Sequence, residues 1–185
     1  MLVLLYFVFI LKGGAVLKTL YFPTLLDIEI GTLKQLGIKC ILLDIDNTIK
    51  PYGAKTVDEN YVNWINTVKN QNIKVILCSN NYKKNVEPIA KGIGCDFVPF
   101  CLKPSPFGYF KAYLKSGCKL KNIVIIGDQF FTDILGGKIM FVKTILLEPI
   151  SAESEGATVK LRRKLTAFFT NRIKARKNPY IKGDN

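Results

Sequence analysis

Two aspartates stand two positions apart directly after an apolar run, where a chain could place a reactive site. Asp44 and Asp46 follow residues 40–43, and Asp128 lies just beyond another apolar run. Residues two apart in an extended segment point to the same side, so both carboxylates can face one pocket. Asp133 would add a fourth carboxylate to the same region. We therefore expect an acidic site whose groups repel one another unless a cation compensates.

The residue types around these aspartates favour a hard cation. The chain has no histidine, and its five cysteines are scattered, which excludes Ser-His-Asp and Cys-His nucleophile systems as well as His-ligated zinc. Oxygen ligands alone favour Mg²⁺ over zinc or copper. Lys103, fixed before Pro104, would supply a further positive charge. Mg²⁺ and a lysine beside carboxylates are suited to a phosphate group.

These residue types together predict phosphoryl chemistry. One aspartate can attack phosphorus and form an aspartyl-phosphate, while the second can protonate the leaving oxygen and then activate water. Mg²⁺ and Lys103 would neutralise charge on the transferring phosphoryl group. Ser79 and Asn80, which follow a third apolar run, can donate hydrogen bonds to its oxygens. A lone aspartate pair is equally typical of a turn or helix cap, and Ser79 could cap the following helix.

The elements that must position these residues alternate along the chain. Short, nearly continuous apolar runs are typical of strands buried on both faces of a parallel sheet, and they occupy residues 39–43, 73–78, 97–100, 123–126 and 144–147. Stretches of helical length lie between them, at residues 57–70, 81–92 and 106–116. This alternation predicts an α/β fold with a Rossmann-like, doubly wound parallel sheet. Because ligands bind beyond the carboxyl ends of such strands, we expect the polar tips to converge.

Both ends of the chain differ from this pattern. Residues 1–11 are all apolar but too few to span a bilayer, which leaves a buried opening segment, a shallow membrane-contacting helix or an export signal. Residues 156–182 carry nine of the 27 basic residues and no acidic one. Residues 158–177 are amphipathic, so they could form a helix packed on the sheet or one attracted to anionic lipid. Nucleic-acid phosphates would attract the same charge, but few aromatic residues are present for base stacking.

Four stretches resemble, in order, the four motifs of the haloacid dehalogenase (HAD) phosphatases. They are residues 44–48, 79–81, 103–104 and 127–133. The resemblance implies that Asp44 is the nucleophile and Asp46 the general acid and base. It further implies that Mg²⁺ is held by Asp44, the Asp46 backbone carbonyl and Asp128. Ser79, Asn80 and Lys103 would bind the phosphoryl group, with Thr48 and Asp133 in supporting roles, Asp133 orienting the metal shell or Lys103.

The spacing of these motifs predicts an open site. Many HAD enzymes carry a cap domain after the first motif or between the second and third. Here only residues 45–78 and 80–102 fill those gaps, which allows a hairpin or loop plus one helix in each. We therefore expect a three-layer α/β/α domain without a cap. Such a site suits a phosphate on a large molecule, for example a lipid, a protein or a nucleic-acid end.

Finer details are similar to the capless HAD-IIIA phosphatases that include bacterial and mitochondrial phosphatidylglycerophosphatases. The likeness rests on residues 23–28, 36–39 and 133–137 and on the Asp-Asn-Thr and Ser-Asn-Asn triplets of the first two motifs. It implies dephosphorylation of phosphatidylglycerophosphate. The basic extension and apolar N-terminus fit an enzyme at the cytosolic face of an anionic phospholipid membrane, and the odd number of scattered cysteines fits a reducing cytosol. The alternatives are a phosphatase for another large phosphoester or a soluble ester, and a non-catalytic module that binds membranes or polyanions.

These observations divide the chain into three parts. Residues 1–22 form the apolar N-terminal segment, residues 23–150 the HAD-like phosphatase domain, and residues 151–185 the basic C-terminal extension. The extension holds much of the net charge of +13, which predicts an anionic membrane surface as partner and makes nucleic acid the less favoured one.

Overall fold

A computed structural model describes residues 19–151, 156–176 and 178–181. Within them lies one sheet of six strands, all parallel, in the order β1-β6-β5-β2-β3-β4. The strands are β1 (Leu20–Phe22), β2 (Cys40–Leu43), β3 (Lys74–Cys78), β4 (Asp96–Val98), β5 (Ile123–Gly127) and β6 (Lys143–Leu147). The predicted doubly wound parallel sheet is therefore confirmed.

Six α-helices of the described residues connect or flank these strands. They are α1 (Ile30–Gln35), α2 (Glu59–Asn70), α3 (Lys83–Ile93), α4 (Pro106–Ser116), α5 (Leu135–Ile139) and α6 (Ala157–Lys174). A π-helical turn, Phe130–Ile134, precedes α5. One helix joins β2 to β3 and one joins β3 to β4, so these connections hold no separate cap, as the motif spacing predicts.

The central strands are buried on both faces because successive side chains alternate between two cores. Ile41 and Leu43 of β2 join one core, which α2 and α3 cover. Cys40 and Leu42 join the other, together with Tyr109 and Ala112 of α4. This double burial explains why the strands read as continuous apolar runs. It also leaves the carboxyl ends of the strands as the place where polar groups can gather.

Residues 20–22, assigned from the sequence to the N-terminal segment, form β1 and pair with β6. The sheet thus begins before residue 23. A three-residue strand at the edge of a sheet has too little pattern to be recognised in a sequence. The apolar residues 1–11 lie outside the described residues. None of the helices in the described ranges combines the length and apolar character that a membrane span requires.

Helix α6 packs on the edge of the sheet through its C-terminal half. The Phe169 ring stacks on Phe130 with centroids 5.1 Å apart, and Ile173 is buried beside Leu146. Lys174 forms an ion pair with Glu148 on the segment after β6. The basic extension is therefore a packed helix along part of its length, while Leu161 and Leu165 in its N-terminal half are exposed.

Candidate active site

The order of the strands places the predicted motifs at one crevice. Strand β2 lies between β3 and β5, so Asp44 after β2 stands between Ser79 after β3 and Asp128 after β5. The chain runs from β2 toward one edge through β3 and later returns to the other side at β5. Such a reversal opens a crevice beyond the carboxyl ends of the strands. The Asp44 N–H donates to the Ile126 carbonyl at 2.9 Å, which fixes Asp44 at this point.

Lys103 is the cation at the centre of the crevice. Its Nζ donates to Asp44 Oδ1 and, at 2.8 Å, to Asp133 Oδ1. Burial by itself lowers the pKa of Lys103, but the adjacent Asp133 and Asp44 carboxylates raise it well above its ordinary value. Lys103 is therefore a permanent positive charge that joins the first and fourth motifs.

Asn80 positions Lys103 in this structure, whereas the sequence suggested that it faces the phosphoryl group. Its Oδ1 accepts the Lys103 N–H at 2.7 Å, and its Nδ2 donates to the Lys103 carbonyl at 3.2 Å. Both ends of the amide are thus used by one backbone segment. Ser79 is buried, and its Oγ accepts the Asn81 N–H at 3.0 Å. That contact leaves the Ser79 hydroxyl proton as a donor for a ligand.

Asp133 is a buried partner of Lys103 in a hydrogen-bonded ion pair. Its carboxylate accepts hydrogen bonds from Lys103 and, at 3.0 Å each, from the hydroxyls of Tyr109 and Thr132. Gly127 makes room for this carboxylate, because a Cβ there would lie 2.6 Å from Asp133 Oδ2. Of the two supporting roles expected for Asp133, the contacts favour the orientation of Lys103.

Asp46 lies apart from the other aspartates. Lys50 Nζ donates to its Oδ1, and Asn81 Nδ2 donates to its Oδ2 at 2.8 Å. Lys50 is buried and lies outside the four motifs, so the sequence did not predict it as a site residue. The Asp46 carboxylate is therefore held separately from the cluster that Lys103 serves, which allows it a distinct chemical task.

Three carboxylates converge where a cation could bind. Oxygens of Asp44, Asp128 and Asp133 all lie within 4.8 Å of one another. Thr48 Oγ1 lies 2.9 Å from Asp44 Oδ2 and 3.3 Å from Asp128 Oδ1, so it can donate to either. Burial raises the pKa of Asp44 to about 6 although Lys103 opposes the shift. Burial and the Asp44 charge raise the pKa of Asp128 to about 8, against the effect of Arg163.

These raised pKa values indicate that the nearby Lys103 and Arg163 do not offset the cost of burying the ionised carboxylates. Further positive charge would stabilise the ionised forms. A divalent cation would supply it, and a donor set of carboxylate oxygens fits Mg²⁺. Since Asp133 is committed to Lys103 and Tyr109, Asp44 and Asp128 are the side chains best placed to hold the ion. The family resemblance predicts the backbone carbonyl of Asp46 as the third ligand. The carboxylate of Asp46 is not one of the three carboxylates that converge.

Arg163 of α6 also enters the site, although it lies outside the four motifs. Its guanidinium donates to the backbone carbonyl of Asp128 at 2.9 Å and to Asp128 Oδ2. The only signal in the sequence is the basic character of residues 156–182, where four arginines share one stretch. Which of them reaches Asp128 depends on how α6 packs.

Comparisons with known proteins identify a family and a relative that this chain resembles in sequence. Residues 6–151 match the family model described as mitochondrial PGP phosphatase. The Bacillus subtilis protein named "Probable phosphatase YqeG" is 30% identical over 142 residues, which are 77% of this chain and 82% of that protein.

Two solved structures share the fold at low identity. One is the cobalt-bound deoxy-D-mannose-octulosonate 8-phosphate phosphatase of Haemophilus influenzae, with 14% identity, a TM-score of 0.52 and coverage of 72% of this chain and 90% of that one. The other is an uncharacterised protein of Listeria monocytogenes serotype 4b, with 16% identity, a TM-score of 0.52 and coverage of 64% and 85%.

Proposed function

Because the chain belongs to the mitochondrial PGP phosphatase family, within the HAD phosphatases, we propose that it hydrolyses the terminal phosphate of phosphatidylglycerophosphate with Mg²⁺. The observation that carries the chemistry is the contact of Lys103 with Asp44 at the crevice between β2 and β5. A nucleophile and a phosphate-binding cation thus meet where the fold binds ligands.

Asp44 acts as the nucleophile. A pKa of about 6 leaves its carboxylate mostly ionised at neutral pH. One Asp44 oxygen forms a bond to phosphorus as the bond from phosphorus to the lipid oxygen breaks, which gives an aspartyl-phosphate. Lys103 and the Ser79 hydroxyl are placed to bind phosphoryl oxygens. Mg²⁺ bound at Asp44 and Asp128 would neutralise part of the phosphoryl charge.

Asp46 acts as the general acid and base. It gives a proton to the leaving lipid oxygen, then takes one from the water that attacks the aspartyl-phosphate, which releases inorganic phosphate and restores Asp44. The hydrogen bonds from Lys50 and Asn81 hold the Asp46 carboxylate in place for both transfers.

A ring of apolar side chains near the site supports a lipid substrate. This apolar rim consists of Tyr82, Phe100, Leu102 and Phe107, all exposed on segments that follow β3 and β4 or begin α4. The Tyr82 and Phe100 rings stack with centroids 5.7 Å apart. Phe100 and Leu102 have positive φ angles of 49° and 53°, which costs roughly 1–2 kcal/mol per residue. Strained backbone that holds large apolar groups in solvent favours a contact role.

Helix α6 supports an anionic membrane as the partner. Leu161, Leu165 and Phe168 are exposed and follow helical spacing along one stripe. Basic residues flank the stripe, namely Arg162, Lys164 and Arg172. Apolar residues beside basic ones are typical of helices that lie in the head-group region. We propose that the apolar rim and this stripe hold the protein on the cytosolic face of such a membrane.

The test of the substrate is phosphate release from phosphatidylglycerophosphate in mixed micelles. We expect turnover that requires Mg²⁺ and exceeds turnover of glycerol 3-phosphate and of a 5′-phosphorylated oligonucleotide. Activity on the soluble ester or the oligonucleotide alone would retain the chemistry and contradict the lipid substrate. The oligonucleotide covers the second candidate, a phosphatase for another large phosphoester that the open site would also admit.

The membrane surface is tested with vesicles that contain phosphatidylglycerol. Phe107→Glu in the rim and Phe168→Glu in α6 are each expected to weaken vesicle binding about tenfold or more, because each loses apolar burial and adds repulsion. Phe141→Glu is the matched control, since Phe141 is as exposed as Phe168, 67% against 68%, but lies before the amino end of β6, whereas the rim lies beyond the carboxyl ends of β3 and β4. Equal binding by all three variants would contradict the assignment of this surface.

A further inference from the structure

Arg163 brings a positive charge to Asp128 from outside the four motifs. Its Nη1 donates to the Asp128 carbonyl at 2.9 Å and its Nη2 to Asp128 Oδ2. The Asp128 side chain is fully buried, whereas the Arg163 side chain is 24% exposed. The guanidinium therefore approaches from the solvent side and has space to withdraw.

Arg163 occupies one oxygen of the Asp128 carboxylate, Oδ2, and the Thr48 hydroxyl lies near the other. Thr48 Oγ1 lies 3.3 Å from Oδ1, and Arg163 contacts Oδ2. Lys103 is held by Asp44 and Asp133 and does not reach Asp128 in the described contacts. A divalent cation on Asp128 Oδ2 would take the position that the guanidinium occupies, and a cation on Oδ1 of the same carboxylate would lie close to it, so in both cases the like charges would repel one another.

The two halves of α6 are attached differently. Phe169 and Ile173 anchor the C-terminal half in an apolar cluster. The N-terminal half carries exposed Leu161 and Leu165, and the Arg163 contact with Asp128 is a polar link from it to the strand ends. A small cleft of about 10 Å³, enough for roughly one water molecule, lies between residues 162–170 of this helix and residues 129–131 after β5.

The packing beside this cleft is incomplete. Gln129 Oε1, which lies in the turn after β5, is buried and has no hydrogen-bond partner in the described part of the chain. A buried acceptor without a partner costs free energy. The contact between the N-terminal half of α6 and the turn after β5 thus leaves a buried acceptor without a hydrogen bond. A change at Arg163 can therefore alter how the N-terminal half packs on the strand ends.

We infer that Arg163 is a positioning residue that competes with the divalent cation for Asp128, so that metal binding and the seating of the N-terminal half of α6 are linked. The inference rests on the proposed function, because it takes Asp44 and Asp128 as the Mg²⁺ ligands. Linkage is reciprocal: a cation at Asp128 releases Arg163, and withdrawal of Arg163 makes Asp128 more available.

Calorimetric titration of the full chain with Mg²⁺ tests the competition without any substrate. Arg163→Gln is expected to bind Mg²⁺ about tenfold more tightly than the wild type, because the charge-assisted contact no longer has to be displaced. Arg162→Gln is the matched control on the adjacent residue, whose Nε donates within the helix to the Thr158 carbonyl. It should leave the affinity unchanged, and Arg163→Lys should stay near the wild-type value.

An unchanged or weaker affinity in Arg163→Gln would overturn the inference, since a purely structural role predicts no gain. A gain in Arg163→Lys as large as in Arg163→Gln would also overturn it, because the charge would then not be the competitor. Failure of the wild type and every variant to bind Mg²⁺ would instead overturn the metal assignment of the proposed function, and the inference with it.

Hydrogen exchange on the wild type provides a second test that needs no variant. Mg²⁺ is expected to increase amide exchange in residues 157–168 of α6, while exchange in α2, which packs against β3, stays constant. Slower or unchanged exchange in residues 157–168 at saturating Mg²⁺ would overturn the linkage.

Discussion

Replacement of Asp44 by asparagine is expected to lower turnover by roughly 10⁴-fold or more, because an amide cannot form the phosphoryl bond that the carboxylate forms. The change is nearly isosteric: the amide oxygen of the new side chain can still accept from Lys103, and its amide nitrogen can donate to the Thr48 hydroxyl, which lies 2.9 Å from Asp44 Oδ2. Phosphate release from phosphatidylglycerophosphate and from a soluble aryl phosphate measures the effect. Both substrates should lose activity equally, since both need the nucleophile.

The fold should survive this substitution. The pKa of Asp44 is raised to about 6 by burial, so the ionised carboxylate disfavours the metal-free folded state; this penalty builds up as the pH rises from about 4 to about 6 and is fully present at pH 8. A neutral asparagine removes that penalty, so the melting temperature in chelator at pH 8 should not fall. Asp96→Asn is the matched control, because Asp96 lies in an exposed ion pair with Lys115. Near wild-type turnover in the Asp44 variant would eliminate Asp44 as nucleophile.

Replacement of Lys103 by methionine is expected to reduce both activity and stability. Activity should fall by about 10²–10³-fold, because the charge that stabilises the transferring phosphoryl group is lost. The free energy of unfolding should fall by about 3–5 kcal/mol, because Asp44 and Asp133 lose the buried cation that they share. Urea unfolding in chelator measures the second effect in the state that has no other cation.

Lys115→Met is the control for this prediction. Lys115 and Asp96 pair at 2.9 Å with both side chains exposed, and such pairs contribute about 1 kcal/mol or less. Each of the two lysines thus pairs with a carboxylate, and they differ in burial. Equal losses of stability in the two variants would contradict the role of Lys103 as a buried bridge between the first and fourth motifs.

The link between Arg163 and Asp128 gives the C-terminal helix two faces with different tasks. The Leu161 and Leu165 face meets solvent and fits a lipid surface, whereas Arg163 on the same half reaches the site. The proposed contact of the outer face with a membrane and the proposed binding of Mg²⁺ at the inner one would therefore act on the same half of the helix.

Local patterns in the sequence predict the fold and the residues proposed for the main chemical steps. Strands buried on both faces have to be apolar at nearly every position, so residues 40–43 and 123–126 reveal their place in the sheet. Asp44 follows its strand directly, and the carboxyl ends of parallel strands share one edge. Its meeting with Lys103 could therefore be expected, as could the absence of an inserted cap.

Other features depend on packing between distant parts of the chain. The presence of an asparagine at position 80 does not show whether its amide binds phosphate or the Lys103 backbone. The path of the loop after β4 brings the Lys103 backbone within hydrogen-bond distance of that amide. Strand β1 is three residues long and is defined by its pairing with β6.

Sequence alone determined the parallel sheet and the places of Asp44 and Lys103, the proposed nucleophile and its cationic partner, because each follows from a pattern within a few residues. Tertiary structure decided that Asp46 is held by Lys50 and Asn81 and that Arg163 reaches Asp128. Arg163 lies 35 positions from Asp128 along the chain. Local propensities cannot encode a contact over that separation, because it depends on how Phe169 and Ile173 seat the helix on the sheet.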